Sequence, residues 1–309
     1  MATTVRAELE RMARECGESG RAVAPLEHIR EMVLATWSQV LFGIDGDSAE
    51  FQETRSIFSD LDIYQPRART DEEVLARLDR LQRHIRAAVQ QSGEVDEASA
   101  VTSMAREYTR LSPDALSDLP TIRNLIFTAI STRDDVAALL TWVFKLLSDN
   151  PVWVDRVRDD LGNGHDLTDR IVSESIRLEQ SEYLLSRARN DIHFNGFVIP
   201  ADWMIRICVH ESHRDPRKFE HPDRFNPDRF LGARYGRESF SPFGIGNRSC
   251  TGELLARTMA RVFITELVRH FDWRVISDGR RELSSHRHWA PSSRLAVELR
   301  HRSPRPDGD

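Results

Sequence analysis

Phe243-Gly244-Ile245-Gly246-Asn247-Arg248-Ser249-Cys250-Thr251-Gly252 is the stretch on which the reading of this chain turns. Glycines at 244, 246 and 252 let the backbone turn sharply and lie against a flat ligand that side chains would hold off. Directly after it, Leu254, Leu255, Met259, Val262, Phe263 and Leu267 recur at helical spacing, which places Cys250 just ahead of a helix N-terminus. The amides and dipole there favour a thiolate, the form in which sulfur binds iron. Arg248 is placed to offer a cation to a carboxylate of the same ligand. A buried, inert cysteine in a glycine-rich turn is the plain alternative.

The order Phe-x-x-Gly-x-Arg-x-Cys-x-Gly, met at Phe243, Gly246, Arg248, Cys250 and Gly252, resembles the cysteine-loop signature of the cytochrome P450 family. The resemblance implies haem b, its iron ligated by Cys250, with Phe243, Gly244, Gly246, Arg248 and Gly252 lining the cofactor. Two further segments agree with it in order and spacing. Glu174 and Arg177 stand three residues apart and share a helix face, close enough for an ion pair. Pro222-Asp223-Arg224-Phe225, followed by Asn226-Pro227-Asp228-Arg229-Phe230, reads as extended and turning. By resemblance, Arg224 joins Glu174 and Arg177 in a buried charge cluster behind the haem loop.

Between those segments, Ile192 to Pro200 carries Asn195-Gly196 flanked by apolar residues, a hairpin signal. Met204 to Val209 is expected to continue that small sheet, and Glu211 to Pro216 to close it with a short helix or turn. Arg187 and Arg189 lie upstream, where the family often places an arginine on a haem propionate, but the slot counted back from Asp191 falls on Ser186. His210, His213 and His221 do not match the zinc-protease spacing of two histidines four apart around a glutamate.

Leu125 to Leu147 is apolar at both ends and broken by Ser131-Thr132-Arg133-Asp134-Asp135, too interrupted to span a membrane. Aligned on Leu139-Leu140-Thr141-Trp142, this is the family's central helix. Asp134 then keeps the expected acid and Asp135 replaces the expected threonine. In the family that pair helps deliver protons to the reaction. Two neighbouring carboxylates would raise the pKa of at least one, giving Asp134 or Asp135 as donor; the bland reading is a solvated bend neutralised by Arg133.

Val5 to Cys16, Pro25 to Phe42, Glu50 to Asp60, Asp71 to Gln91 and Val101 to Leu111 read as further helices. The expected fold class is mainly α with small β-sheets: a P450-like haem domain over residues 1–302, entered at what resembles the middle of the family's fold, then a disordered tail at 303–309. Composition of 40% hydrophobic and 30% charged residues is ordinary for a globular protein, and 43 basic against 49 acidic residues, net −6, argues against nucleic-acid binding. No apolar leader or anchor opens the sequence, so a cytoplasmic monomer is expected. Three cysteines, Cys16, Cys208 and Cys250, form no pair with iron–sulfur spacing. Electrons from NAD(P)H would therefore arrive through ferredoxin and ferredoxin reductase, with Arg237, Arg257 and Arg261 as a basic landing patch. The resemblance implies a monooxygenase acting on a small lipophilic molecule of secondary metabolism. Alternatives are a haem-thiolate isomerase, dehydratase or peroxide-driven oxidase, and an inactive chain without stable haem.

Overall fold

The computed structural model describes residues 1–42, 44–60, 119–162, 164, 166–180, 183–232, 235–276, 281–283, 289–291 and 294–302, with single positions at 72, 76, 79, 80 and 83. The helices expected at Asp71 to Gln91 and Val101 to Leu111 and the tail at 303–309 lie wholly or largely outside them.

Apolar spacing produces the helices. Helix α1 (Ala2–Ser19) turns Val5, Leu9 and Met12 inward and stops at Gly20, whose φ of 60° is the left-handed conformation that ends helices. Helix α2 (Pro25–Phe42) buries Ile29, Val33 and Trp37 against α4, and α3 (Ala49–Asp60) follows it. Helix α4 (Leu119–Asp149) is the longest of the described elements and runs through the core, Val136, Ala137, Leu140, Val143, Phe144 and Leu147 being buried. Phe144 meets Phe263 edge to face at 5.1 Å and Trp273 at 6.1 Å. Helix α5 (Pro151–Asp160) begins on a proline, and α6 (Asp166–Ser175) passes into a wide turn at Ile176–Gln180. Such widened turns re-aim side chains, often at functional positions. Among the described residues no helix is long and apolar enough to cross a membrane.

The sheets are small antiparallel ribbons. Strand β1 (Tyr183–Arg187) pairs with β4 (Met204–Cys208), and β2 (Ile192–Phe194) with β3 (Phe197–Ile199). Asn195 and Gly196 between the latter both have positive φ, 48° and 80°, the geometry of a two-residue hairpin. The hairpin is as expected, but Met204 to Val209 does not extend it: Met204–Cys208 belongs to a separate ribbon with β1, a strand the sequence reading missed. Helix α7 (Val209–Ser212) starts two residues earlier than the expected turn. Phe194, Phe197, Val198, Trp203, Met204 and Ile207 on these ribbons are exposed, Phe197 at 74%. After the cysteine loop, α8 (Glu253–His270) leads into β5 (Phe271–Ile276), which pairs with β8 (Ala296–His301), while β6 (Arg281–Leu283) pairs with β7 (Trp289–Pro291). Val23, just before α2, bridges to Val297 of β8 through bonds of 2.9 and 2.8 Å, tying the start of the chain to its end.

Candidate functional site

The decisive loop closes on itself. The Cys250 amide donates to the Phe243 carbonyl at 2.7 Å, Ser249 to Gly246 at 3.1 Å and Gly244 to Ser241 at 3.1 Å. Gly244 and Gly246 have φ of 80° and 65°, left-handed values that side-chain-bearing residues adopt only with strain. Nothing lies within 4 Å of the point where a Cβ on Gly246 would stand, so backbone and open space meet there. Gly252 keeps an ordinary φ of −89° as the cap of α8. Phe243 is half-buried against the core, with the Arg257 guanidinium 5.0 Å from its ring centre. The Arg248 side chain lies outside the described residues; its backbone ends the short turn Gly246–Arg248.

Cys250 is exposed, and neither Cys16 nor Cys208 is disulfide-bonded to it. The expected helix-terminus effect is present but outweighed. Loss of water around the sulfur pushes its pKa above the ordinary thiol value; the Gly252 amide opposes this, the Asp135 and Glu253 carboxylates add to it, and the Glu253 amide again opposes it. Without a ligand on the sulfur the thiol form is therefore favoured. The residues nonetheless fit a haem iron: a lone accessible sulfur with two amides bonded to it, beside a glycine backbone facing open space.

Behind the loop, Glu174 and Arg177 are both fully buried, joined by bonds of 2.7 and 2.9 Å. Arg177 donates further to the carbonyls of His213 and Pro222, each at 2.7 Å. The third member expected here, Arg224, is exposed and supplies only its carbonyl, to Arg177 at 3.5 Å and to Arg229 at 3.2 Å. Arg229 takes the place instead, its Nε 3.0 Å from Glu174 Oε1 and its other nitrogens on the carbonyls of Glu220 and His221. The cause is local. Asn226 accepts from the Asp228 amide with its side chain and donates its own amide to Glu174 Oε1 at 2.9 Å, so the short turn Pro227–Phe230 aims Arg229 inward. Asp228 in that turn receives Arg156 at 2.8 and 3.1 Å and Arg170, fastening it to α5 and α6.

His213, dismissed as a zinc ligand, is fully buried, and its Nε2 accepts the Ser241 amide at 3.2 Å. Its carbonyl holds Arg177 while its ring holds the residue whose carbonyl holds Gly244, which links the charge cluster to the cysteine loop. Burial and the Arg177 charge lower its pKa to about 3. Among the described residues no group of His, Cys, Asp and Glu is arranged to hold a metal ion.

On α4 the polar patch is no solvated bend: the helix runs through it and Arg133 and Asp134 are buried. Asp134 is held by Arg30 of α2 at 2.7 Å and by Arg133 at 3.2 Å. Its carboxylate is thus ion-paired from α2 and from its own helix. Asp135 is half-buried, and its charge, like that of Glu253, contributes to raising the Cys250 pKa. Arg257 and Arg261, expected as part of a landing patch, are used within the protein: Arg257 bonds Glu253 at 2.8 Å and Ser173 at 3.1 Å, and Arg261 pairs with Asp169 at 3.4 Å.

A family model described as Cytochrome P450 matches residues 134–298. The chain is 28% identical over 188 residues to abscisic acid 8'-hydroxylase CYP707A1 of Solanum lycopersicum, covering 55% of this chain and 38% of that one. It is 27% identical over 203 residues to cytochrome P450 family 716 subfamily AD polypeptide 2 of Citrus sinensis, covering 60% of this chain and 41% of that one. The matched stretch thus spans about two fifths of these relatives' length. The fold is similar to that of cyanobacterial CYP120A1, solved with retinoic acid bound, with a TM-score of 0.73 and 22% identity, covering 97% of this chain and 76% of that one. Fold, cysteine loop and buried charge cluster agree with the family match over more than half of the sequence: the chain belongs to the cytochrome P450 family.

Proposed function

We propose that this chain is a haem-thiolate oxidoreductase that inserts one oxygen atom from dioxygen into a small lipophilic molecule. The observation that carries the reading is Cys250 at the rim of α8, its sulfur met by the Gly252 and Glu253 amides from one side and by the field of Asp135 from α4. Bound haem b would supply the oxidising chemistry, with Cys250 as its thiolate ligand. The Gly252 and Glu253 amides stabilise charge on that sulfur, and Gly246 leaves room beside it for a flat ring. Glu174, Arg177 and Arg229 hold the loop's rear wall in place through His213 and Ser241. Asp134 and Asp135 are the carboxyls assigned to pass a proton on the α4 side.

The curated relatives matched here include hydroxylases named for abscisic acid, which supports hydroxylation of a small organic molecule as this chain's reaction. Electrons would come from NAD(P)H through a separate redox protein, a ferredoxin with its reductase being our assignment, in the cytoplasm. A second reading, haem-thiolate chemistry driven by peroxide or proceeding without an oxidant, is favoured by Asp135 standing where the family's threonine is expected. Dependence of product on oxygen and a reductant separates the two.

The test is the carbon monoxide difference spectrum of the reduced, haem-loaded chain. A red-shifted Soret band present in the parent and lost in Cys250→Ser is the expected result. Absence of haem uptake by a folded parent chain overturns the reading.

A further inference from the structure

Away from the cysteine loop, the last turns of α1 and the ribbon β5–β8 enclose a cleft of about 650 Å³, a size that suits a small organic molecule. Among the described residues, none that lines it belongs to the stretch from Phe243 to Gly252. Its apolar lining is Ala13, Leu299 and the ring of Trp273. The Trp273 indole N–H is engaged by the Phe144 carbonyl of α4 at 3.2 Å, so this ring offers the cleft apolar surface and no donor. Val297 turns its amide and carbonyl outward to Val23, and Leu299, two residues on, presents its own backbone groups to the same side of β8. The charged side chains around the cleft do not cancel. Glu298 is bonded by Arg274 at 2.8 Å across the ribbon. Asp272 stands opposite Arg300 in the ladder, yet its Oδ1 receives Arg158 of α5 at 2.8 Å. Arg158 is fixed in turn by the carbonyls of Val268 and Phe271. Both carboxylates are thereby matched, while Arg21 and Arg300 have no side-chain partner among the described residues. The carbonyl end of α1 disfavours an anion, but through a partial charge, which two whole cations outweigh.

We propose that this cleft is a second ligand site, which binds a small organic carboxylate with a planar apolar body. Arg21 and Arg300, whose charge the chain leaves unmatched, take the carboxylate, and the body lies against Ala13, Leu299 and the Trp273 ring. A neutral molecule of the same shape gains only the apolar contact, and a cationic one meets two like charges. The site owes nothing to the haem-thiolate reading, and its test reads no turnover.

The probes are naphthoate and, as its neutral counterpart, naphthalenemethanol substituted at the same ring carbon, each in equilibrium dialysis against the full chain at low salt. Naphthoate is expected to bind with a Kd of about 1 mM, and naphthalenemethanol about tenfold more weakly. Arg21→Gln and Arg300→Gln should each weaken naphthoate about threefold, the modest effect of solvent-exposed charges, and together about tenfold. Both side chains are exposed, so the variants are expected to fold, as far-ultraviolet circular dichroism checks. Equal binding of the two probes, or naphthoate binding unchanged in the double variant, overturns the proposal. So does the absence of saturable naphthoate binding up to about 10 mM. Cys16 reports the location, since it lines the cleft with its Sγ on the Val297 carbonyl at 3.5 Å. Naphthoate should slow iodoacetamide alkylation of Cys16 severalfold, read on its own peptide by mass spectrometry, and leave Cys208 unchanged. Protection of Cys208 in place of Cys16 puts the probe on the exposed strand β4 and overturns the assignment.

Discussion

Acidification from pH 7 to pH 5 should destabilise the protein through His213, and by an amount that follows from its surroundings. The ring is fully buried, stacked at 5.0 Å from Phe240, and close to the Arg177 charge, which together lower its pKa from 6.5 to about 3. The Ser241 amide donates to Nε2, so the neutral ring carries its proton on Nδ1 and a second proton would displace that bond. The folded chain thus stays unprotonated where the unfolded chain binds a proton. Stability is fully present above pH 6.5 and falls as pH drops, at about 1.4 kcal/mol per unit, until the folded pKa is reached. Between pH 7 and pH 5 the loss is about 2 kcal/mol, and over the whole window down to about pH 3 it is about 4 to 5 kcal/mol. Urea denaturation of the parent and of His213→Gln at several pH values measures it, other titrating groups cancelling in the difference. The parent's advantage should shrink by about 2 kcal/mol between pH 7 and pH 5. A difference that stays constant over that range refutes the reasoning.

Arg229→Ala should cost about 3 to 5 kcal/mol, because it takes a cation from a buried carboxylate, whereas Arg224→Ala should stay within about 0.5 kcal/mol; paired denaturation curves decide it. Gly246→Ala has space for its methyl group but must hold a left-handed backbone, so a loss of about 1 to 2 kcal/mol without gross rearrangement is expected from the same assay. Haem affinity should rise with pH, since Cys250 must shed a proton to ligate iron and its pKa is raised; titrating haem into the cofactor-free chain at several pH values shows the trend.

The features that sequence made legible are those set by neighbours along the chain. The loop from Phe243 to Gly252, the helix at Pro25 to Phe42 and the hairpin around Asn195-Gly196 each carry their own turn, cap or periodicity. The errors arose where a distant partner decides. Pro222-Asp223-Arg224-Phe225 and Pro227-Asp228-Arg229-Phe230 repeat one pattern, and only contact with Glu174 selects the second. A local cue was present in Asn226, whose side chain caps the second copy and has no equivalent before the first. Arg133 and Asp134 looked like a wet interruption because the residue that lets them be buried, Arg30, lies on α2. The short strand β1 lacked turn signals on both sides, and its partner β4 was assigned to the adjacent hairpin.

The two ribbons β1–β4 and β2–β3 also determine which optical probes can report on this protein. Dyes that brighten on apolar surfaces will find Phe194, Phe197 and Val198 already available in the native state, so their signal before the thermal transition will be high and its rise shallow. Intrinsic fluorescence divides more usefully: Trp203, 63% exposed on a ribbon, emits from water whether the chain is folded or not, while Trp37, Trp142 and Trp153 are buried and shift on unfolding. Replacing Trp203 by phenylalanine would leave an emission spectrum dominated by tryptophans that follow the core.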